Sequence, residues 1–369
     1  MVKDGGYVNV VDTLTVTSLP KGSKFAILCG GTIDMSSLDV VSFGSDTIIN
    51  DCTLKFKDGA TVYANGKDLV IESATKVEGI PAAIYGGGNY PVTETYLDLR
   101  AGSYKKIYGG GDAGAVREDA YLYLSHDVNA DLTFANEGDC YVYGGSKTGT
   151  VYGDTVVIVE GNVNAPLDHT SHTAIARFYG GSENGHVKGS TSVVIAENAE
   201  FNYIYGGCAK GAVGGATYVN FSAKAMSIYG GSGTVTETNV IINDGWVHQV
   251  FGGCEGSSMT GNTNVTIKGG YIDRRIVGGC YNNYSIASGW TTENYVTGTC
   301  TVTLRDEATY NLKGDDHGIT ALSRHKTNHE AENGIVFFEN DALKNSLNDH
   351  MGITILLSKT PAYDSYKIG

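Results

Sequence analysis

Carboxylates and histidines set close together are the groups from which proteins build metal sites and general acid–base pairs. In this chain of 369 residues, two stretches are dense in them. The first carries His126, Asp127, Asp131, Glu137 and Asp139; the second carries Asp168, His169, His172 and Arg177. Asp168-His169-Thr170-Ser171-His172 sets two imidazoles three residues apart in a polar segment, a weak metal signal. If the chain is an enzyme, Asp127, Asp131, Asp168, His169, His172 and Arg177 form its catalytic set, and polysaccharide cleavage is the matching chemistry. Glycoside hydrolysis needs two carboxyl groups at a defined separation, and nothing in the spacing pairs them. A pair of solvated polar loops has the same composition. A third cluster, Asp315-Asp316-His317 with Arg324, His325 and His329, falls in a long segment after Leu312 that reads as a cap loop.

A fourth stretch, Tyr281–Thr299, suits binding rather than catalysis. It sets Tyr281, Tyr284, Trp290 and Tyr295 among Asn, Ser, Thr and Gly, the composition of a loop that grips a partner with aromatic anchors. The competing reading has Trp290 covering a coil end or packing on Tyr271.

Composition narrows the partners. The net charge of −14 repels phosphate backbones, which excludes nucleic acid and anionic membranes, and no apolar run reaches the length of a membrane span. Calcium stays open on acidity alone, although neither an EF-hand loop nor the nonapeptide spacing of calcium-binding β-rolls occurs. No other cofactor is expected. The seven cysteines, Cys29, Cys52, Cys140, Cys208, Cys254, Cys280 and Cys300, include no C-x-x-C pair, so they read as buried small hydrophobes.

The elements that must position these residues come from a repeat. Ile84-Tyr85-Gly86-Gly87-Gly88 returns at Ile107, Val142, Phe178, Ile204, Ile228, Val250 and Ile276 as apolar-aromatic-Gly-Gly-small, with Val277 replacing the aromatic in the last copy. A degenerate copy, Leu28-Cys29-Gly30-Gly31, precedes them. The aromatic positions lie 23, 35, 36, 26, 24, 22 and 26 residues apart, which is the length of one β-solenoid coil with two insertions. Propeller blades need roughly 40 residues. Each repeat also holds a strand with two apolar positions around a variable one: Leu97-Asp98-Leu99, Leu122-Tyr123-Leu124, Val156-Val157-Ile158, Val193-Val194-Ile195, Val219-Asn220-Phe221, Val240-Ile241-Ile242, Val265-Thr266-Ile267 and Val302-Thr303-Leu304. Period two with one buried face predicts inward ladders such as Leu99/Leu124/Ile158/Ile195/Phe221/Ile242/Ile267/Leu304. Cys254 and Cys280 fall at one repeat position, about 4.8 Å apart in consecutive coils, where a reduced stack or a disulfide both fit. The tyrosines of the turn either face outward as a binding stripe or shield glycines of the neighbouring coil.

The expected fold is therefore an all-β, right-handed parallel β-helix, the hand following from the chirality of parallel crossovers. Residues 1–80 read as degenerate coils and a cap, with strands at Leu14–Thr17, Phe25–Leu28, Thr47–Ile49 and Leu69–Ile71. Residues 81–312 read as the regular helix, with insertions near 131–139, 164–176 and 281–299. Residues 313–369 read as a second cap with strands at Ile335–Phe338 and Ile353–Leu357 and a short helix near Ala342–Asn348.

With its Ile/Val-Tyr-Gly-Gly-Gly/Ser turns, the stretch from about 81 to 312 resembles the glycine-rich β-helix repeats of large surface proteins from gut-type Gram-positive bacteria. That resemblance implies an adhesin-like binding region and brings no catalytic residues. The likeness to pectate-lyase-like enzymes is one of fold only. The expectation is an extracellular segment of a longer surface protein, monomeric within it, that recognises a glycan or a secreted host glycoprotein such as mucin or immunoglobulin. A polysaccharide lyase or glycoside hydrolase, and a passive stalk, are the alternatives.

Overall fold

The computed structural model describes residues 7–9, 13–14, 26–124, 131–134, 140–164, 176–281, 294–305, 307–310, 318–321, 323 and 333–339. Within them the chain is all-β and every strand pairing is parallel: a β-solenoid. Each coil contributes up to three strands. One coil runs Lys76–Glu78, Ala83–Tyr85 and Thr95–Leu99; the next runs Ala101–Tyr104, Lys106–Tyr108 and Ala120–Leu124. Equivalent strands stack into three faces, and the third is a continuous 12-stranded sheet from Ala26–Cys29 to Asn333–Phe338. From Ala199–Tyr205 to Tyr271–Val277 the first two faces are served by one longer strand per coil.

Alternation along each strand builds the core. In Ala120–Leu124, Ala120, Leu122 and Leu124 are buried while Tyr121 and Tyr123 point outward. Stacking adds Leu97, Leu99, Val157, Val159, Val193, Ile195, Val219 and Phe221 to one continuous apolar column of coils. One expected register is corrected. Leu122 and Leu124 pair with Val157 and Val159, so Ile158 leaves the inward ladder and faces outward beside Tyr123. Four apolar residues in a row, 156–159, erase the period-two signal there, and a slip of one residue turns every side chain over. The threonines hold the key. Thr155, Thr191, Thr217, Thr238 and Thr263 are the first or second residues of successive strands, are buried, and donate Oγ1–H to Gly180, Gly206, Gly230, Gly252 and Gly278 carbonyls at 2.5–2.6 Å.

The Gly-Gly turns obey sterics of approach rather than of φ. Gly206 has no positive φ, yet a Cβ there would sit 2.1 Å from the Gly230 carbonyl oxygen. The chain from this turn to the third face carries a second small core, in which Val116, Val151, Val187 and Val213 stack with Cys208, Cys254, Cys280 and Cys300. After the glycines, one position is Ser or Cys from Ser146 to Cys280. Ser146 Oγ accepts the Gly111 N–H at 3.0 Å, Ser182 Oγ accepts Ser146 N–H at 3.0 Å, and Cys280 Sγ accepts Cys254 N–H at 3.3 Å. Cys254 and Cys280 are thus stacked in consecutive coils as free thiols.

Candidate functional site

On the third face, the outward positions change character from coil to coil while the inward ones stay apolar. Leu69–Ile71 offers Val70, flanked by Asp68 and Glu72; Thr95–Leu99 offers Tyr96 and Asp98, flanked by Glu94 and Arg100; Ala120–Leu124 offers Tyr121 and Tyr123. Register sets Tyr96 beside Tyr121, and Asp98 between Val70 and Tyr123. Together these side chains line an open trough of about 590 Å³ running over four coils, from Ile48 to Tyr123.

The trough is rigidly wired. Asp98 is only 1 % exposed. Arg100 clasps it with Nε donating to both carboxylate oxygens at 3.2 Å and Nη2 at 2.7 Å, and reaches Glu72 with Nη1 at 2.6 Å. The hydrogen bonds to Asp98 raise the Arg100 pKa further. The Tyr96 and Tyr123 rings lean together, centroids 5.2 Å apart and 37° between planes. Burial first, then the Asp98 charge, raise the Tyr96 phenol pKa. The Tyr121 hydroxyl donates to Asp119 Oδ2 at 3.0 Å, and that bond pushes its pKa up to about 12. At neutral pH these phenols are therefore protonated. The wall offers half-buried tyrosine rings and the carboxylates of Asp68, Glu72 and Glu94 around a guanidinium that Asp98 and Glu72 hold in place. That set can bind polyols: sugar C–H faces lie on tyrosine, and sugar hydroxyls donate to carboxylate. Among the described residues, no group of three or more His, Cys, Asp or Glu has the arrangement of a metal site.

The turn tyrosines point away from the main core but form no surface stripe. Tyr63, Tyr85, Tyr108, Tyr143, Tyr179, Tyr205, Tyr229 and Phe251 stack ring on ring, centroids 4.5–5.3 Å apart, and Tyr85, Tyr108, Tyr143, Tyr205, Tyr229 and Phe251 are at most 4 % exposed. Carboxylates two coils onward lock their hydroxyls: Tyr63 donates to Asp112 at 2.8 Å, Tyr108 to Glu183 and Tyr205 to Glu255. Burial of these phenols is the main cause of their raised pKa values, which reach about 12 for Tyr63 and Tyr179.

A third cluster surrounds Trp246. Its ring lies 6.0 Å from His248, whose Nδ1 is 3.0 Å from Asp273 Oδ2 and whose Nε2 is 3.5 Å from Arg274. Burial lowers the His248 pKa against the opposing pull of Asp273. Beside it, three stacked corners from Glu197 to Trp246 line a cleft of about 420 Å³.

Most residues singled out from the sequence lie elsewhere. Asp127, Asp168, His169, His172, Tyr284 and Trp290 fall outside the described residues, as do His126, Glu137, Asp139 and the Asp315–His317 and Arg324–His329 clusters. Asp131 begins a strand, Asp131–Phe134, paired with Ala101 and Asn162. Arg177 sits in the strand Ala176–Tyr179, its guanidinium 5.7 Å from the centroids of both Tyr141 and Tyr203. Tyr281 packs its ring against Phe251 at 5.0 Å, at the end of the aromatic stack. Tyr295 is 38 % exposed. No two of these form a site within the described residues. In the sequence the trough shows only as Asp98 and Tyr123 at the variable middle position of two strand triads; that Glu72, Tyr96 and Tyr121 join them follows from the stacking of coils.

No protein-family model, curated protein or solved structure matches this chain.

Proposed function

We propose that this solenoid is a glycan-binding module that reads its ligand on the outer face of the third sheet. The observation that carries the proposal is the trough in which the strand-borne Tyr96, Asp98, Tyr121 and Tyr123 stand beside Glu72 and Arg100 at the strand ends. Strand-borne side chains are held to a fixed geometry without ordering cost on binding. The acid-rich, patterned surface suits an uncharged ligand outside the cell, either a free polysaccharide or the glycan of a secreted glycoprotein. The test is a screen of the purified chain against immobilised glycans and against secreted glycoproteins before and after enzymatic deglycosylation. Binding to defined neutral glycans, lost on deglycosylation, supports the module. Glycoprotein binding that survives complete deglycosylation contradicts it.

A further inference from the structure

The outward column that contains Tyr96 and Tyr121 does not end at the trough. Strand register continues it through Val156, Ser192, Tyr218, Asn239 and Asn264, one residue per coil. Val156 and Ser192 are half-buried and leave a low shelf. Tyr218 then rises from it, 46 % exposed, three coils beyond Tyr121. At strand spacing that separation is about 14 Å. Along one border, Asp119 and Asp154 occupy equivalent positions, each accepting the backbone N–H of the following coil through Oδ1 at 2.7 Å. That bond fixes the carboxylates in a row parallel to the column.

We infer that the ligand is an extended β-1,4-linked glycan lying along the solenoid axis, with Tyr96 and Tyr121 at one end of the path and Tyr218 as a distal stacking platform. This rests on the glycan-binding reading of the trough. The reason is commensurability. A coil advances by about 4.8 Å, close to one sugar unit of a flat, extended β-1,4-linked chain. Successive units therefore meet successive coils, and the border offers them Asp119 and Asp154 in the first two coils and Ser190 in the third. The shelf of Val156 and Ser192 gives the units between the tyrosines room to pass. An α-1,4-linked chain coils and cannot hold this register over several units.

The experiment is calorimetric titration of the full chain with β-1,4-linked glucose and N-acetylglucosamine oligomers from dimer to hexamer, with α-1,4-linked glucose oligomers as control. Affinity is expected to climb with β-chain length until the oligomer reaches Tyr218, then level off, and to show no such climb in the α series. Tyr218→Ala, an exposed change, is expected to weaken the hexamer about tenfold and to leave the dimer unchanged. An unchanged hexamer affinity in Tyr218→Ala, while Tyr96→Ala still removes dimer binding, overturns the axial path and leaves the trough reading standing. Failure of every β-linked oligomer to bind overturns both.

Discussion

At Gly206 the missing side chain is the structural feature. Its would-be Cβ collides with a backbone oxygen of the next coil, an atom that cannot move without separating the coils. Gly206→Ala is therefore expected to destabilise the protein by about 3 kcal/mol, read as a shift in the urea midpoint at constant slope. The buried phenols give a second residue-scale outcome. Tyr63 and Tyr179 are raised to about 12, above the unfolded value of about 10, because burial penalises the phenolate. A raised folded pKa means that the folded chain holds its protons longer. The associated stability is complete below pH ~10 and is lost as pH climbs toward about 12. Phenolate absorbance followed together with far-UV circular dichroism should show the ladder ionising and the β-signal falling in that window. Ionisation of the ladder with the β-signal intact would contradict this. Arg100 makes the converse case: Arg100→Met strands the buried Asp98 carboxylate and should cost about 3 kcal/mol, partly rescued by adding Asp98→Asn.

At the scale of the element, the Ser/Cys ladder shows that the repeat specifies an acceptor atom rather than an amino acid. Ser146, Ser182, Cys280 and Ser323 all accept a backbone N–H from the preceding coil. Cys280→Ser is expected to change stability by less than ~1 kcal/mol, whereas Cys280→Val orphans the Cys254 N–H and should cost about 2 kcal/mol. Equal effects of the two changes would remove the ladder's hydrogen bond from the account. The same element shows how much was legible beforehand. The Gly-Gly turns and the apolar pairs of the strand fixed the all-β parallel solenoid, because both recur in every coil. They misplaced Ile158, since four apolar residues in a row carry no phase; the phase is set by the recurring buried threonine, whose hydroxyl partner lies on the neighbouring turn. The tyrosine column was legible as a column, with shielding of neighbouring glycines as one of its two readings; the carboxylates that hold its hydroxyls, Glu183 and Glu255 among them, were not, because they come from turns two coils away. The trough was hidden for the same reason: Glu72, Asp98 and Tyr123 are neighbours across coils, not along the chain.

For the whole molecule, stacking turns a short repeat into a long, stiff surface whose inward residues are interchangeable hydrophobes and whose outward residues are free to differ. A net charge of −14 spread over such a surface governs what it repels more than what it holds. Binding of a neutral glycan forms no new ion pair, so its affinity should vary less than about twofold as salt rises through the physiological range. A steep salt dependence would point instead to a charged partner.

Ligand binding on the outer face of the third sheet is the proposal on which the others depend. Its most direct measurement is calorimetric binding of a glycan identified by screening to the wild-type chain, to the Tyr96→Ala/Tyr123→Ala double variant and to Trp290→Ala, each with its fold checked by circular dichroism. The double variant is expected to bind at least ~100-fold more weakly with its β-signal unchanged, and Trp290→Ala to bind as the wild type does. Full affinity in the double variant, or loss confined to Trp290→Ala, would place the ligand elsewhere and contradict the account.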